Sequence, residues 1–347
     1  PQGPGGPTLD LKCLVDDICL RGLKPPLLLR FNDILHARIK YLADAFQKSI
    51  ETYNYQNTYK GLLPIKVNQQ RHVVEEAINQ HPEYQLGLEA GSKPEVLIAM
   101  GLLGDRAEYI ICNGYKDQEY IETVFDAQKI GLKPFLVIDR FAEIDLIIET
   151  SKRTGVIPNL GMRAKLTAKG AGRWESSSGD RSKFGLSAKE MVLAIEKLQE
   201  ANLLQALKLL HFHIGSQITS IRSVKIATRE ASHIYCNLRQ MGATQLEYVD
   251  VKVRDVVQDD VEVLLGGEHV EGRHGRDEQP GELADLLAEA VGGADGVEVD
   301  PLGAGLLARV DPQLLRPFVV LLLLLLLLLL VISRIDLRDQ FSARARR

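Results

Sequence analysis

A chain of 347 residues, 45% apolar and 25% charged, has room for one large α/β domain with a sizeable core, or for one such domain and a small companion. Its formal net charge of −4 excludes a general basic footprint for nucleic acid. Cys13, Cys19, Cys112 and Cys236 lie far apart and form no CxxC pair, which argues against a disulfide scaffold or a zinc site and suits the reducing cytoplasm. The first residue is Pro1 rather than Met, and no charged-then-apolar signal segment follows, so the sequence is expected to begin inside a longer gene product.

Residues 1–26 read as a lead-in. From residue 27 to 251, short β-rich runs alternate with stretches of helical periodicity. The runs are Leu27–Phe31, Leu62–Val67, Tyr84–Glu89, Tyr109–Asn113, Pro134–Asp139, Asn159–Arg163, Leu207–Ile214 and Leu246–Val251. Between the first two, Leu35, Ile39, Leu42, Phe46 and Ile50 recur at helical spacing. Ser92-Lys-Pro-Glu95 and Ser187-Ala-Lys-Glu190 predict capping boxes at two helix starts. Eight strands alternating with helices over residues 27–251 predict an α/β fold, a (β/α)8 TIM-type barrel. A doubly wound open sheet is the rival, weakened because no GxGxxG follows the first strand.

The composition then breaks. Residues 251–347 contain no Tyr, Trp, Cys, Met, Asn or Thr, and a single lysine, Lys252, against ten arginines. Acidic and glycine-rich sequence runs first, then an apolar stretch from Phe318 to Ile332 holding ten consecutive leucines, then a basic end. As a helix that stretch is roughly 22 Å long, short of the roughly 30 Å hydrocarbon core. A low-complexity helix is therefore expected rather than a membrane span. So sharp a shift inside one chain favours a frameshift, a misjoined gene or an artificial splice over a natural divergent extension, and residues 252–347 are expected to be an anomalous tail that packs poorly.

In a barrel, chemistry gathers where strands end. Lys66 closes the second run between Ile65 and Val67. An amine desolvated by such neighbours is a Schiff-base candidate, although a lone strand-end lysine is usually just solvated. Glu89, Asn113 and Arg163 end the third, fourth and sixth runs; alone, such an acid or arginine is more often a salt-bridge partner. In His211-Phe-His-Ile-Gly-Ser216, period-two alternation puts His211 and His213 on one face, where an imidazole can lie against an aromatic cofactor ring. Gly215 and Ser216 fall where barrels commonly hold phosphate. Two histidines without an obvious third ligand argue against zinc. The Gly- and Ser-rich polar segment 163–185 reads as a functional loop or a disordered one.

Taken together, Leu63–Gln70 (LPIKVNQQ), Gly87–Glu95 (GLEAGSKPE), Ile111–Asp117 (ICNGYKD), Gly161–Leu166 (GMRAKL), Ser182–Ser187 (SKFGLS) and His211–Gln217 (HFHIGSQ) closely resemble the biosynthetic arginine decarboxylases, of the alanine-racemase-like class of pyridoxal-phosphate (PLP) enzymes. The likeness runs from about Asp10 to Val251. It implies a PLP barrel, conversion of arginine to agmatine and CO2 in polyamine synthesis, a homo-oligomer and a dependence on Mg2+, whose ligands it does not identify. It also implies that Lys66 binds PLP through a Schiff base, that His213 stacks on the pyridine ring, that Ser216 contacts the cofactor, and that Glu89 and Arg163 are polar positions around it. PLP chemistry needs such a set, together with phosphate donors and an acid at the ring nitrogen. The family's glycine-rich phosphate cradle after strand eight is replaced here by Lys252-Val-Arg-Asp255, and its acid-Ser-Gly-Arg segment and β-rich second domain have no counterpart. The resemblance breaks where the composition breaks, and impaired activity is expected. The alternatives are another decarboxylase or racemase of the class, acting on diaminopimelate or ornithine for instance, a PLP-binding homologue without catalysis, and a membrane-tethered fragment.

Overall fold

The computed structural model describes residues 8–52, 54–55, 57–79, 86–104, 106, 108–167, 183–216, 221–254 and 263–264. In chain order its elements are α1 (Leu11–Leu20), β1 (Leu28–Leu29), α2 (Asn32–Thr52), β2 (Leu62–Pro64), α3 (Arg71–Asn79), β3 (Gly87–Ala90), α4 (Lys93–Leu103), β4 (Tyr109–Cys112), α5 (Gln118–Lys129), β5 (Lys133–Ile138), α6 (Glu143–Thr154), β6 (Asn159–Ala164), α7 (Ala188–Glu200), β7 (Leu207–Ser216), α8 (Ile221–Gln240), β8 (Tyr248–Arg254) and β9 (Val263–Leu264). The chain divides into two compact units; the larger includes Leu29–Glu262, and α1 belongs to the smaller.

Seven strands form one sheet in the order β2-β3-β4-β5-β6-β7-β8, every neighbouring pair parallel. A helix crosses from each strand of this sheet to the next, so it is a partial TIM-type barrel. The expected first barrel strand, Leu27–Phe31, is corrected. Only Leu28–Leu29 is extended, and it belongs to a separate two-stranded sheet with β9. Pro25 and Pro26, separated from it only by Leu27, carry no N–H to donate, so the ladder cannot grow far backwards. At the other end β8 runs past the compositional break, through Lys252 to Arg254. The acidic stretch, the leucine run 318–332 and segment 168–182 lie outside the described residues.

Alternation sorts each strand's side chains onto two faces. Leu88, Ala90, Ile110, Cys112, Leu136, Ile138, Leu160, Met162, Leu210 and Phe212 point to the helices and join Val96, Ile121, Ile144 and Ile195 in the main core. Burying one such side chain contributes roughly 1.5–3 kcal/mol. The opposite face holds a smaller cluster of Ile111, Phe135, Val137 and Leu209, against which Leu62, Tyr109 and Tyr248 pack.

Helix starts follow the sequence unevenly. Ser187 and Glu190 form the full capping box of α7. The box expected at Ser92 does not form. Ser92 makes no cap, and Glu95 reaches past it to accept the Gly91 N–H at 2.6 Å.

Gly114 turns the chain after β4 at φ +78, and a Cβ there would lie 2.4 Å from the Gly91 carbonyl oxygen. Gly114→Ala is therefore expected to destabilise the chain by about 1–3 kcal/mol. Gly104→Ala, also at positive φ but with nothing within 4 Å of the added methyl, should cost less. Denaturation midpoints of the two variants check the order; equal losses would show that crowding at Gly114 is relieved.

Candidate active site

All seven parallel strands deliver their C-terminal ends to the same edge of the sheet, so the residues weighed from sequence can be followed by register. On the inner face, Val137, Gly161, Leu209 and Tyr248 form one row across β5 to β8. Further towards the C-terminal ends, Arg163, His211 and Asp250 form the next, and His213 pairs with Lys252 beyond it. The apolar cluster therefore makes a floor, with Tyr109 and Tyr248 hydroxyls 3.2 Å apart, and the polar residues stand above it.

Each polar side chain is held by a partner. The Arg163 guanidinium donates to Asp139 Oδ1 at 3.0 Å and lies over the Phe184 ring, 5.3 Å from its centre. His211 Nδ1 is 2.7 Å from Asp250 Oδ2, which fixes its proton on Nδ1; its buried Nε2 has no hydrogen-bond partner among the described residues. His213 Nδ1–H donates to the Lys252 carbonyl at 2.9 Å, leaving Nε2 as the basic nitrogen of the neutral ring. Asn113 Nδ2 donates to Glu89 Oε1 at 3.2 Å, while its own buried Oδ1 has no such partner among the described residues. The Lys252 ammonium contacts Glu89 Oε2 across the site.

Lys66 follows β2 in the short 3-10 turn Ile65–Val67. The expected desolvation of its amine is corrected. Ile65 takes the buried side of the turn, and Lys66 next to it is exposed. The desolvated amine of this site is Lys252, whose side chain is 17% exposed. Burial, together with the charge of Lys66, holds its pKa below the ordinary lysine value, against the pull of Glu89. Ser216 ends β7 opposite Arg254.

The sequence reading missed the network beneath Arg163. Asp139, fully buried at the end of β5, also faces Lys116. That ammonium is fully buried, 3.9 Å from Asp139 Oδ2, 3.6 Å from Glu143 Oε2 and 2.5 Å from the Gly114 carbonyl it donates to. Glu143 accepts the backbone N–H groups of Lys116 and Asp139, at 3.1 and 2.9 Å, and burial pushes its pKa up. Asp139 is the last residue of its β-rich run, so the strand-end rule applied to Glu89 and Arg163 points to it as well.

Burial first, and the Arg163 charge second, lower the His213 pKa from its ordinary 6.5 to about 3. Between those values the unfolded chain takes up a proton that the folded one refuses, so stability is retained above about pH 6.5 and falls as pH drops towards 3. The denaturation midpoint is expected to decline over that window, less steeply in His213→Gln. Parallel profiles would show that His213 is protonated in the folded protein.

Among the described residues, no group of three or more His, Cys, Asp or Glu could hold a metal ion, and no helix is long and apolar enough to cross a membrane.

Residues 37–251 match the family described as pyridoxal-dependent decarboxylase, pyridoxal binding domain. The biosynthetic arginine decarboxylase of Gloeobacter violaceus is 54% identical over 251 residues, covering 72% of this chain and 39% of the relative. The crystal structure of the biosynthetic arginine decarboxylase from Campylobacter jejuni superposes with a TM-score of 0.62 at 34% identity, over 69% of this chain and 39% of that one. Diaminopimelate decarboxylase from Helicobacter pylori, at TM-score 0.52 and 18% identity over 68% of this chain and 55% of that one, shares the fold. The chain spans about two fifths of the length of the curated relatives it matches.

Proposed function

The chain belongs to the pyridoxal-dependent decarboxylases through their pyridoxal binding domain, and from that premise we propose that residues 27–251 are the cofactor-binding barrel of an enzyme that decarboxylates L-arginine to agmatine. A homo-oligomeric assembly, a cytoplasmic setting and an anomalous tail over residues 252–347 belong to the same proposal. The observation that carries it is the polar ring of Glu89, Asn113, Arg163, His211 and His213 above an apolar floor at the strands' C-terminal edge.

The donor set suits pyridoxal phosphate at its ring end. An exposed amine at Lys66, two buried polar atoms without a hydrogen-bond partner among the described residues, His211 Nε2 and Asn113 Oδ1, and the Arg163 cation match a flat heteroaromatic aldehyde with polar edges. When bound, the cofactor supplies an electron sink for the pair left by departing CO2. Lys66 supplies the amine that tethers it. His213, neutral and with Nδ1 committed to a carbonyl, offers a ring face without a competing charge. Arg163, its guanidinium fixed by Asp139, presents a positive charge to an anionic group. Ser216 is the proposed hydroxyl contact.

The phosphate end is less well served, because β8 stays paired with β7 through Val253 and Arg254 where the resemblance implies a glycine cradle. That observation favours, as a second reading, a barrel that holds the cofactor weakly and turns over little. Incubating the chain with PLP and, separately, arginine, ornithine or diaminopimelate, then identifying products by mass, decides among them. Traces of agmatine from arginine alone are expected. A different amine as the main product would overturn the substrate.

A further inference from the structure

We propose that Lys252 is a second aldehyde-capturing amine in this site, competing with Lys66 for pyridoxal-type aldehydes. The inference rests on reading the site as a pyridoxal site, and it concerns a residue outside the span that matches the family.

Lys252 sits on the inner face of β8, register partner of His213 on β7. Its backbone is anchored by the hydrogen bond from His213, and its ammonium lies against Glu89 Oε2 on β3, on the far side of β4 to β7 in the sheet order. The amine is thus held among the same residues that surround the proposed ring position. Lys66, by contrast, is exposed, and near enough for its charge to act on Lys252.

Only a neutral amine attacks a carbonyl. Lys252 has a proton acceptor in contact, Glu89, whose other oxygen is steadied by Asn113. Burial and the neighbouring Lys66 charge both favour loss of the proton. In the capture a C=N bond forms between Nζ and the aldehyde carbon and the C=O bond breaks. The oxygen leaves as water with the two amine protons, and Glu89 serves as relay. Nothing is oxidised or reduced.

The test uses the full chain with pyridoxal phosphate, reduction with borohydride, digestion and location of the pyridoxyl mass. Label is expected on both Lys66 and Lys252, and the Lys252 label should exceed that on exposed lysines such as Lys12 by about tenfold, the advantage of a desolvated amine. Lys66→Ala should retain the Lys252 label, Lys252→Met should retain the Lys66 label, and the double variant should lose both. Label on Lys66 alone, with Lys66→Ala blank at Lys252, overturns this inference and leaves the pyridoxal reading standing. No excess label at either lysine overturns both.

Discussion

Replacing residues 252–347 with the glycine-rich loop and second domain that the family resemblance implies is expected to raise PLP affinity by about 10²–10⁴-fold and to convert traces of agmatine into ready turnover. Backbone N–H groups in a glycine turn can approach a phosphate and donate charge-assisted hydrogen bonds, each worth roughly 1.5–3 kcal/mol. In this chain the equivalent backbone is strand-paired, Val253 with Gly215 and Arg254 with Ser216. Regaining two such bonds gives the stated range, since about 1.4 kcal/mol is tenfold. The replacement also removes Lys252 and releases Glu89 from its ion pair. Spectral titration with PLP reads the affinity, and mass analysis reads the product. A folded chimera that binds no more tightly than the parent would show that the cradle is not what is missing.

The second large effect concerns stability. Lys116→Met should lower it by about 3–5 kcal/mol, because it strands two buried carboxylates without their shared cation. Asp139 would keep Arg163, but Glu143 would keep only backbone N–H groups. For a domain of this size the loss corresponds to a fall of about 6–20 °C in Tm. Adding Glu143→Gln to Lys116→Met should recover part of it, since the amide carries no charge to strand. Lys12→Met, which removes an exposed ion pair with Asp16, should leave Tm where it was. A Lys116→Met chain as stable as the parent would mean that water or a cation replaces the ammonium.

The division between what could be read in the sequence and what could not follows the range of the interactions. Strand runs, and the shared face of His211 and His213, depend on neighbours two residues away, and alternation alone reveals them. Lys116, Asp139 and Glu143 look like ordinary solvated charges in one dimension. They become a buried network only because the turn after β4 and the start of α6 meet at the end of β5. The Ser92 box failed because an alternative donor, the Gly91 N–H one residue earlier, takes the Glu95 carboxylate instead. Lys66 was misjudged because apolar neighbours along the chain do not bury a side chain that the turn points away from them. Lys252 carried no signal of its own. Its role depends on Glu89, 163 residues earlier, and on β7 carrying β8 beyond the family's last matched residue.

That separation has a consequence in time. A chain is made from its N-terminus, and contacts between distant residues form late because the loop they close must first exist. Lys66 and Glu89 are both present long before Lys252 has been synthesised. An aldehyde that meets the growing barrel finds one amine, whereas one added to the finished chain finds two. The first of the two lysines to meet a cofactor present during synthesis is therefore Lys66, and label trapped before the two amines exchange should favour Lys66 more than label trapped on protein loaded afterwards.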